Sequence, residues 1–153
     1  MAANAGEDMP TISQSFSADH AACDEALATA EEAVQASTWD KAAVFFKTFN
    51  MLMERHFNAE ETVLFPAFER ATGMAGGPPA VMRMEHAQIR GLLGQMQQAV
   101  KTQDQDAYLG ASETLLILMQ QHNMKEEHIL YPMCDQHVSN AAEAVAALEV
   151  TLR

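Results

Sequence analysis

Histidines and acids recur in this chain in a doubled arrangement. His56 is followed four residues later by Glu60 and then Glu61, and His122 in the same way by Glu126 and Glu127. Both stretches read His-x-x-x-Glu-Glu-x-x-Leu-aromatic-Pro, ending at Pro66 and Pro132. Asp19-His20 and Glu85-His86 form a second repeated element, and every matched pair lies 66 residues apart. Imidazole and carboxylate donors without a thiolate suit iron or manganese, with zinc admissible.

The spacing of these residues puts them inside a fold rather than on it. His20, His56, His86 and His122 each lie in a stripe of apolar residues recurring every three or four positions, the signature of one helix face. Glu60 and Glu126 continue the stripes of His56 and His122, so each imidazole–carboxylate pair projects from one face a turn apart. An unpartnered buried carboxylate costs on the order of several kcal/mol. A whole domain is stable by only about 5–15 kcal/mol. Neutral imidazoles do not offset two glutamates, whereas two cations do. The expected ligands are therefore His20, His56, Glu60, His86, His122 and Glu126. Both glutamates bridge, one metal taking His20 and His56 and the other His86 and His122. With an oxo or hydroxo bridge, each metal has about five donors against an octahedral six, leaving a position for oxygen, peroxide or another small ligand.

Neighbouring residues receive lesser roles. Glu61 and Glu127 are rotated by about 100° from the ligands on a helix. They are expected in solvent or in support, with Glu127 left open as an alternative ligand. Asp19 and Glu85 read as surface carboxylates or as hydrogen-bond acceptors for ligand imidazoles. His128 and His137 fall outside the stripes. The methionines on the stripes, such as Met53 and Met119, read as packing residues rather than copper ligands. Tyr131 matches Phe65 in the repeat and is given a packing role.

The elements that must carry this arrangement are helices. Matching stripes run through Phe16, Cys23 and Leu27 and their counterparts Met82, Ile89 and Leu93, and through Phe49, Met53, Val63, Leu64 and Ala67 and their counterparts Leu115, Met119, Ile129, Leu130 and Met133. Helices are predicted over about 17–36, 40–71, 78–102 and 104–135, with a short fifth helix from about 139 to the C-terminus. Ser37 to Asp40 supplies a capping signal, and Pro78 and Pro79 open the third helix. Pro66 and Pro132 should kink or end their helices. Short connections favour antiparallel neighbours. The predicted class is all-α: an antiparallel up-down-up-down four-helix bundle of two pseudo-repeated helix pairs. Residues 1–11 read as an N-terminal arm open to disorder and 12–153 as the bundle.

A net charge of −12 over 153 residues argues against nucleic acid and anionic membranes as partners. No apolar run reaches membrane-spanning length. The first ten residues hold two acids, no Lys or Arg and no apolar stretch, unlike a secretory signal, so a cytoplasmic location is expected. The two cysteines, Cys23 and Cys134, form neither a disulfide framework nor a zinc cluster.

From about residue 12 to 137 the chain resembles the hemerythrin-like, or HHE cation-binding, family. The resemblance rests on His20; His56 to Glu61 with Leu64-Phe65-Pro66; Glu85-His86 with Ile89-Arg90; and His122 to Glu127 with Leu130-Tyr131-Pro132. It implies a four-helix bundle with a non-haem di-iron centre. Activities in the family include reversible oxygen binding, oxygen or iron sensing, and iron-centre repair. Oxygen-carrying hemerythrins resemble His-x3-His on the third helix, where this chain has His86 and Arg90. A guanidinium cannot ligate. The resemblance thus implies a four-histidine site closer to the repair branch than to oxygen carriers. The leading expectation is a di-iron protein handling a diatomic or peroxide ligand by binding, redox sensing or iron-centre repair. The alternative is a di-iron enzyme reducing peroxide or nitric oxide.

Overall fold

The computed structural model describes residues 9–150. Residues 1–8 of the predicted arm (1–11) and the last three residues of the chain lie outside the described residues. Among the described residues every element is helical.

The first helix, α1 (Ile12–Gln35), starts five residues before the predicted position. Thr11 and Gln14 close a capping box, each side chain bonded to the other's backbone N–H at 2.9–3.0 Å. The carboxylate of Asp135, far along the chain, accepts the Ile12 N–H at 2.9 Å and ties this start to the other end of the fold. A tight turn leads into α2 (Trp39–Ala59), and an equivalent one separates α4 (Pro78–Lys101) from α5 (Gln105–Lys125). Ser37 and Gln103 hold the left-handed positions of these turns, at φ 57° and 54°. The next residues, Thr38 and Asp104, donate back to Ala33 and Ala99. The 66-residue repeat therefore extends to backbone conformation.

Neither the second nor the fourth predicted helix is a continuous α-helix. Each passes through a five-residue π-helical turn, Glu60–Leu64 or Glu126–Leu130, before resuming as α3 (Phe65–Thr72) or α6 (Tyr131–His137). Pro66 and Pro132 do not end the helices; each stands in the first turn of the resumed segment. A proline ring crowds the carbonyl four residues back and offers no N–H, and a widened turn just before it accommodates both.

The π turn corrects the predicted core. The α period predicts Val63, Leu64 and Ala67 inside; the structure buries Leu64, Phe65 and Phe68. In the second half it predicts Ile129, Leu130 and Met133; Leu130, Tyr131 and Cys134 are buried and Ile129 is 55% exposed. One extra residue per turn rotates the rest of the helix by about 100°.

A last helix, α7 (Ala141–Ala147), is capped by Asn140 rather than Ser139 and packs on α1 and the first π turn. The core forms two apolar blocks. One contains Cys23, Leu27, Phe49, Met53, Leu93 and Met119. The other contains Phe16, Phe65, Phe68, Met82, Tyr131 and Cys134. No described helix is long and apolar enough to cross a membrane.

Candidate metal centre

A buried polar layer separates the two apolar blocks. On α1, His20 stands between Phe16 and Cys23; on α4, His86 stands between Met82 and Ile89. His56 and His122 lie in the last turns of α2 and α5, and Glu60 and Glu126 open the π turns that follow. The four histidines are at most 5% exposed and both glutamates are wholly buried. π turns recur at functional positions because the extra residue re-aims a side chain.

All six predicted ligands come together, as two overlapping groups. His20, His56, Glu60 and Glu126 form the first, and Glu60, His86, His122 and Glu126 the second. Within each, one donor atom per residue lies within 4.8 Å of the others. Each glutamate crosses between halves of the chain: Glu60 comes within 3.0 Å of His86 Nε2, and Glu126 within 3.0 Å of His20 Nε2. Glu60 and Glu126 also lie 3.4 and 3.2 Å from His56 and His122, one turn away on their own helices.

The other nitrogen of every ring points outward to a carboxylate. Nδ1 of His20, His56, His86 and His122 meets Glu127, Asp19, Glu61 and Glu85 at 2.7, 2.8, 2.7 and 2.9 Å. This arrangement holds Nε2 toward the centre and raises its basicity. Asp19 and Glu85 are therefore not plain surface acids, and Glu127 supports His20 rather than replacing Glu126. The repeat held the signal, since an acid precedes both inner histidines of the α1–α4 pair and follows both glutamates. Three outer carboxylates carry a cation. Arg55 stands 3.6 Å from Asp19, Lys125 pairs with Glu85, and Arg90 grips Glu61 with two bonds of 2.8 and 3.0 Å. Arg90 also bonds Glu54 and covers the Phe57 ring, so it faces away from the donors. His128 and His137 are exposed, as the sequence predicts.

The electrostatics refine the charge argument. Burial alone would lower the His56 pKa, but the Glu60 charge and the Asp19 hydrogen bond outweigh it and raise the pKa to about 10. At His122 burial again opposes, and the bond and charge of Glu126 raise it to about 9. Burial pushes the Glu60 carboxyl up, yet His56 and its other neighbours hold it well below the usual carboxylate range. Two imidazolium ions can thus balance two glutamates without a metal, contrary to the sequence argument. The stronger indication is geometric. Glu60 Oε1, His86 Nε2, His122 Nε2 and Glu126 Oε2 are buried without a well-aligned hydrogen bond, although Glu60 Oε1 and His86 Nε2 lie 3.0 Å apart. An unmet buried polar atom costs about 1–3 kcal/mol. These four are the second donor group, aimed inward, and two imidazole nitrogens with two carboxylate oxygens fit iron, manganese or zinc.

A family model for the hemerythrin HHE cation-binding domain matches residues 11–134. The chain belongs to the hemerythrin HHE cation-binding domain family. No match was found among curated proteins or among solved structures. In this hemerythrin domain the matched span runs from the α1 cap into α6 and includes all six inner and all four outer residues. Membership and the buried His/Glu groups together make it a metal-binding domain of the hemerythrin type.

One residue of this hemerythrin domain has a place the sequence does not predict. Tyr131 is not simply packed. Its hydroxyl lies 2.7 Å from Glu60 Oε2, 2.9 Å from Glu126 Oε1, and 3.1 Å from Nε2 of both His20 and His56. A continuous α-helix would set it one residue out of register. The only available signal was Pro132 following it, which an unbroken helix accommodates poorly. On the opposite side of the histidines lies a void of about 10 Å³, bordered by His20, His56, His122, Cys23, Met53 and Met119. That is room for about one water-sized molecule.

Proposed function

We propose that this chain is a non-haem di-iron protein that handles oxygen or a related small ligand, by binding, redox sensing or iron-centre repair. His20 and His56 hold one iron, His86 and His122 the other, and Glu60 and Glu126 serve both, with an oxo or hydroxo bridge. The observation that carries this reading is the pair of donor groups sharing two buried carboxylates, with one inward atom of each member of the second group left without a well-aligned hydrogen bond. Iron bound there supplies redox chemistry and open coordination positions, while the chain orients the imidazoles and keeps bulk water out.

The small void reaches His122 of the second group as well as His20 and His56, and supports a diatomic or peroxide-sized partner over a larger substrate. An up-down-up-down course within one domain over 12–153 is part of the same reading. It is supported by the tight turns and by the order in which the helices meet the two apolar blocks: α1 and α4 pass from the Phe16 and Met82 block to the other, and α2 and α5 the reverse.

The test is iron content and spectra of the reduced protein during exposure to oxygen, with His56→Ala and His122→Ala as controls. Two irons per chain and a reversible adduct are expected. Rapid oxidation with continuous turnover of peroxide or nitric oxide would move the protein to the enzymes. Unchanged metal content in the alanine variants would remove the assigned site altogether.

A further inference from the structure

We propose, resting on the di-iron reading above, that Tyr131 is a fifth protein donor to the metal held by His20 and His56, so that an external ligand binds at the other metal. The Tyr131 oxygen lies within 2.7–3.1 Å of one atom from each member of the first donor group, and those atoms are the group's inward-facing nitrogens and oxygens. A hydroxyl carries one proton and can give it to one partner. Two imidazole nitrogens and two carboxylate oxygens, all potential metal donors, converge on that one oxygen, and a cation among them engages all five atoms at once. Coordination then forms one oxygen–metal bond and releases the phenolic proton to solvent.

The repeat provides an internal control. The two halves place identical histidines and glutamates around the centre, yet the counterpart of Tyr131 is Phe65. Its ring lies nearly parallel to that of His86, with centroids 5.8 Å apart, and offers no oxygen. Of the four ligand imidazoles, the two whose Nε2 lacks a well-aligned hydrogen bond, His86 and His122, are those on the Phe65 side. The first metal has five protein donors and the second has four, so more of an octahedral shell stays open at the second.

The outer charges differ in the same sense. Both outer carboxylates of the second group, Glu61 and Glu85, are paired with cations, Arg90 and Lys125. In the first group Arg55 stands at 3.6 Å from Asp19, and Glu127 has no cation within 4.0 Å among the described residues. Asp24, a carboxylate beside Glu127, occupies the position that repeats as Arg90. The His20 side is thus the more negative, which suits the more highly charged metal ion.

The experiment is resonance Raman and visible absorption of the full chain loaded with two equivalents of ferric iron, in wild type, Tyr131→Phe and Phe65→Tyr. Wild type should show a phenolate-to-iron charge-transfer band with tyrosinate ring modes, and Tyr131→Phe should lose both while keeping its helical circular dichroism. Azide, the probe for an open position, should bind at one site in wild type, gain a second site in Tyr131→Phe and lose its site in Phe65→Tyr. Two bound irons without tyrosinate modes in wild type would overturn the inference and leave the di-iron reading standing. Modes surviving in Tyr131→Phe would also overturn it. A wild-type chain that takes up no iron would sink both.

Discussion

Glu60 and His86 stand 66 residues apart in register from Glu126 and His20 and make the same contact, oxygen to Nε2 at 3.0 Å, across the two halves of the chain. Because each glutamate lies in both donor groups, neither half holds a complete site by itself. Glu60→Gln is therefore expected to lower occupancy of both metals rather than of one. Metal analysis after dialysis checks this. Two full equivalents in the Glu60→Gln, Glu126→Gln double variant would exclude bridging.

The outer carboxylates should matter nearly as much as the donors. Each fixes one ring through Nδ1, and loss of such a partner typically weakens metal binding by about 10–100-fold. Asp19→Asn and Glu61→Gln are expected in that range, measured by competition with a chelator. An unchanged affinity in both would show that the rings are already fixed by packing.

Stability of the metal-free protein should depend on pH in a stated direction. His56 and His122 have folded pKa values raised from 6.5 to about 10 and about 9. Their stabilisation is complete below about pH 6.5 and is lost as pH rises through those raised values. Glu60 acts oppositely: its depressed pKa stabilises above about pH 4.5, and that is lost as acid titrates it. Thermal unfolding of metal-free protein should thus weaken from pH 6.5 toward pH 10. The metal-loaded form should lose less over that range, since metal binding at these nitrogens displaces protons. A flat metal-free profile across the range would count against the imidazolium–glutamate pairing.

The rotated core gives a test by substitution. Phe65→Ala, at a fully buried ring, is expected to cost about 3–5 kcal/mol. Ile129→Ala, at a site the simple period places inside but which is 55% exposed, should stay within about 0.5 kcal/mol. Chemical denaturation of both variants decides it, and a large loss at Ile129 would contradict the widened turn.

These contrasts also mark what the sequence makes legible. The doubled His-x3-Glu and acid-His elements, on apolar stripes and repeated at a fixed offset, identify the six inner residues, because buried charge at helical spacing has few explanations. Pro78, Pro79 and the Ser37–Asp40 turn mark their boundaries by local chemistry. Thr11 and Gln14 carry an equally local signal, a Thr-x-x-Gln capping box that sets the helix start ahead of the predicted one. Asp19, Glu85, Glu61 and Glu127 owe their roles to packing between helices, which periodicity does not report. Tyr131 was misplaced for a sharper reason. A π turn adds one residue without any composition of its own, so every position after Glu60 and Glu126 is read one step out of phase.

The widened turns also separate two settings that an unbroken helix would lock together. The angle at which Glu60 and Glu126 meet the centre is fixed on the near side of the extra residue, and the orientation of Phe68 and Cys134 on the far side. Deleting one residue from 61–64 would leave the carboxylate aimed as before and swing Phe65 and Phe68 outward. The same cut in 127–130 would turn away Tyr131 and Cys134. The distal ends of these helices are in this sense indexed to the centre by a single inserted position, which shortening the chain by one residue would erase.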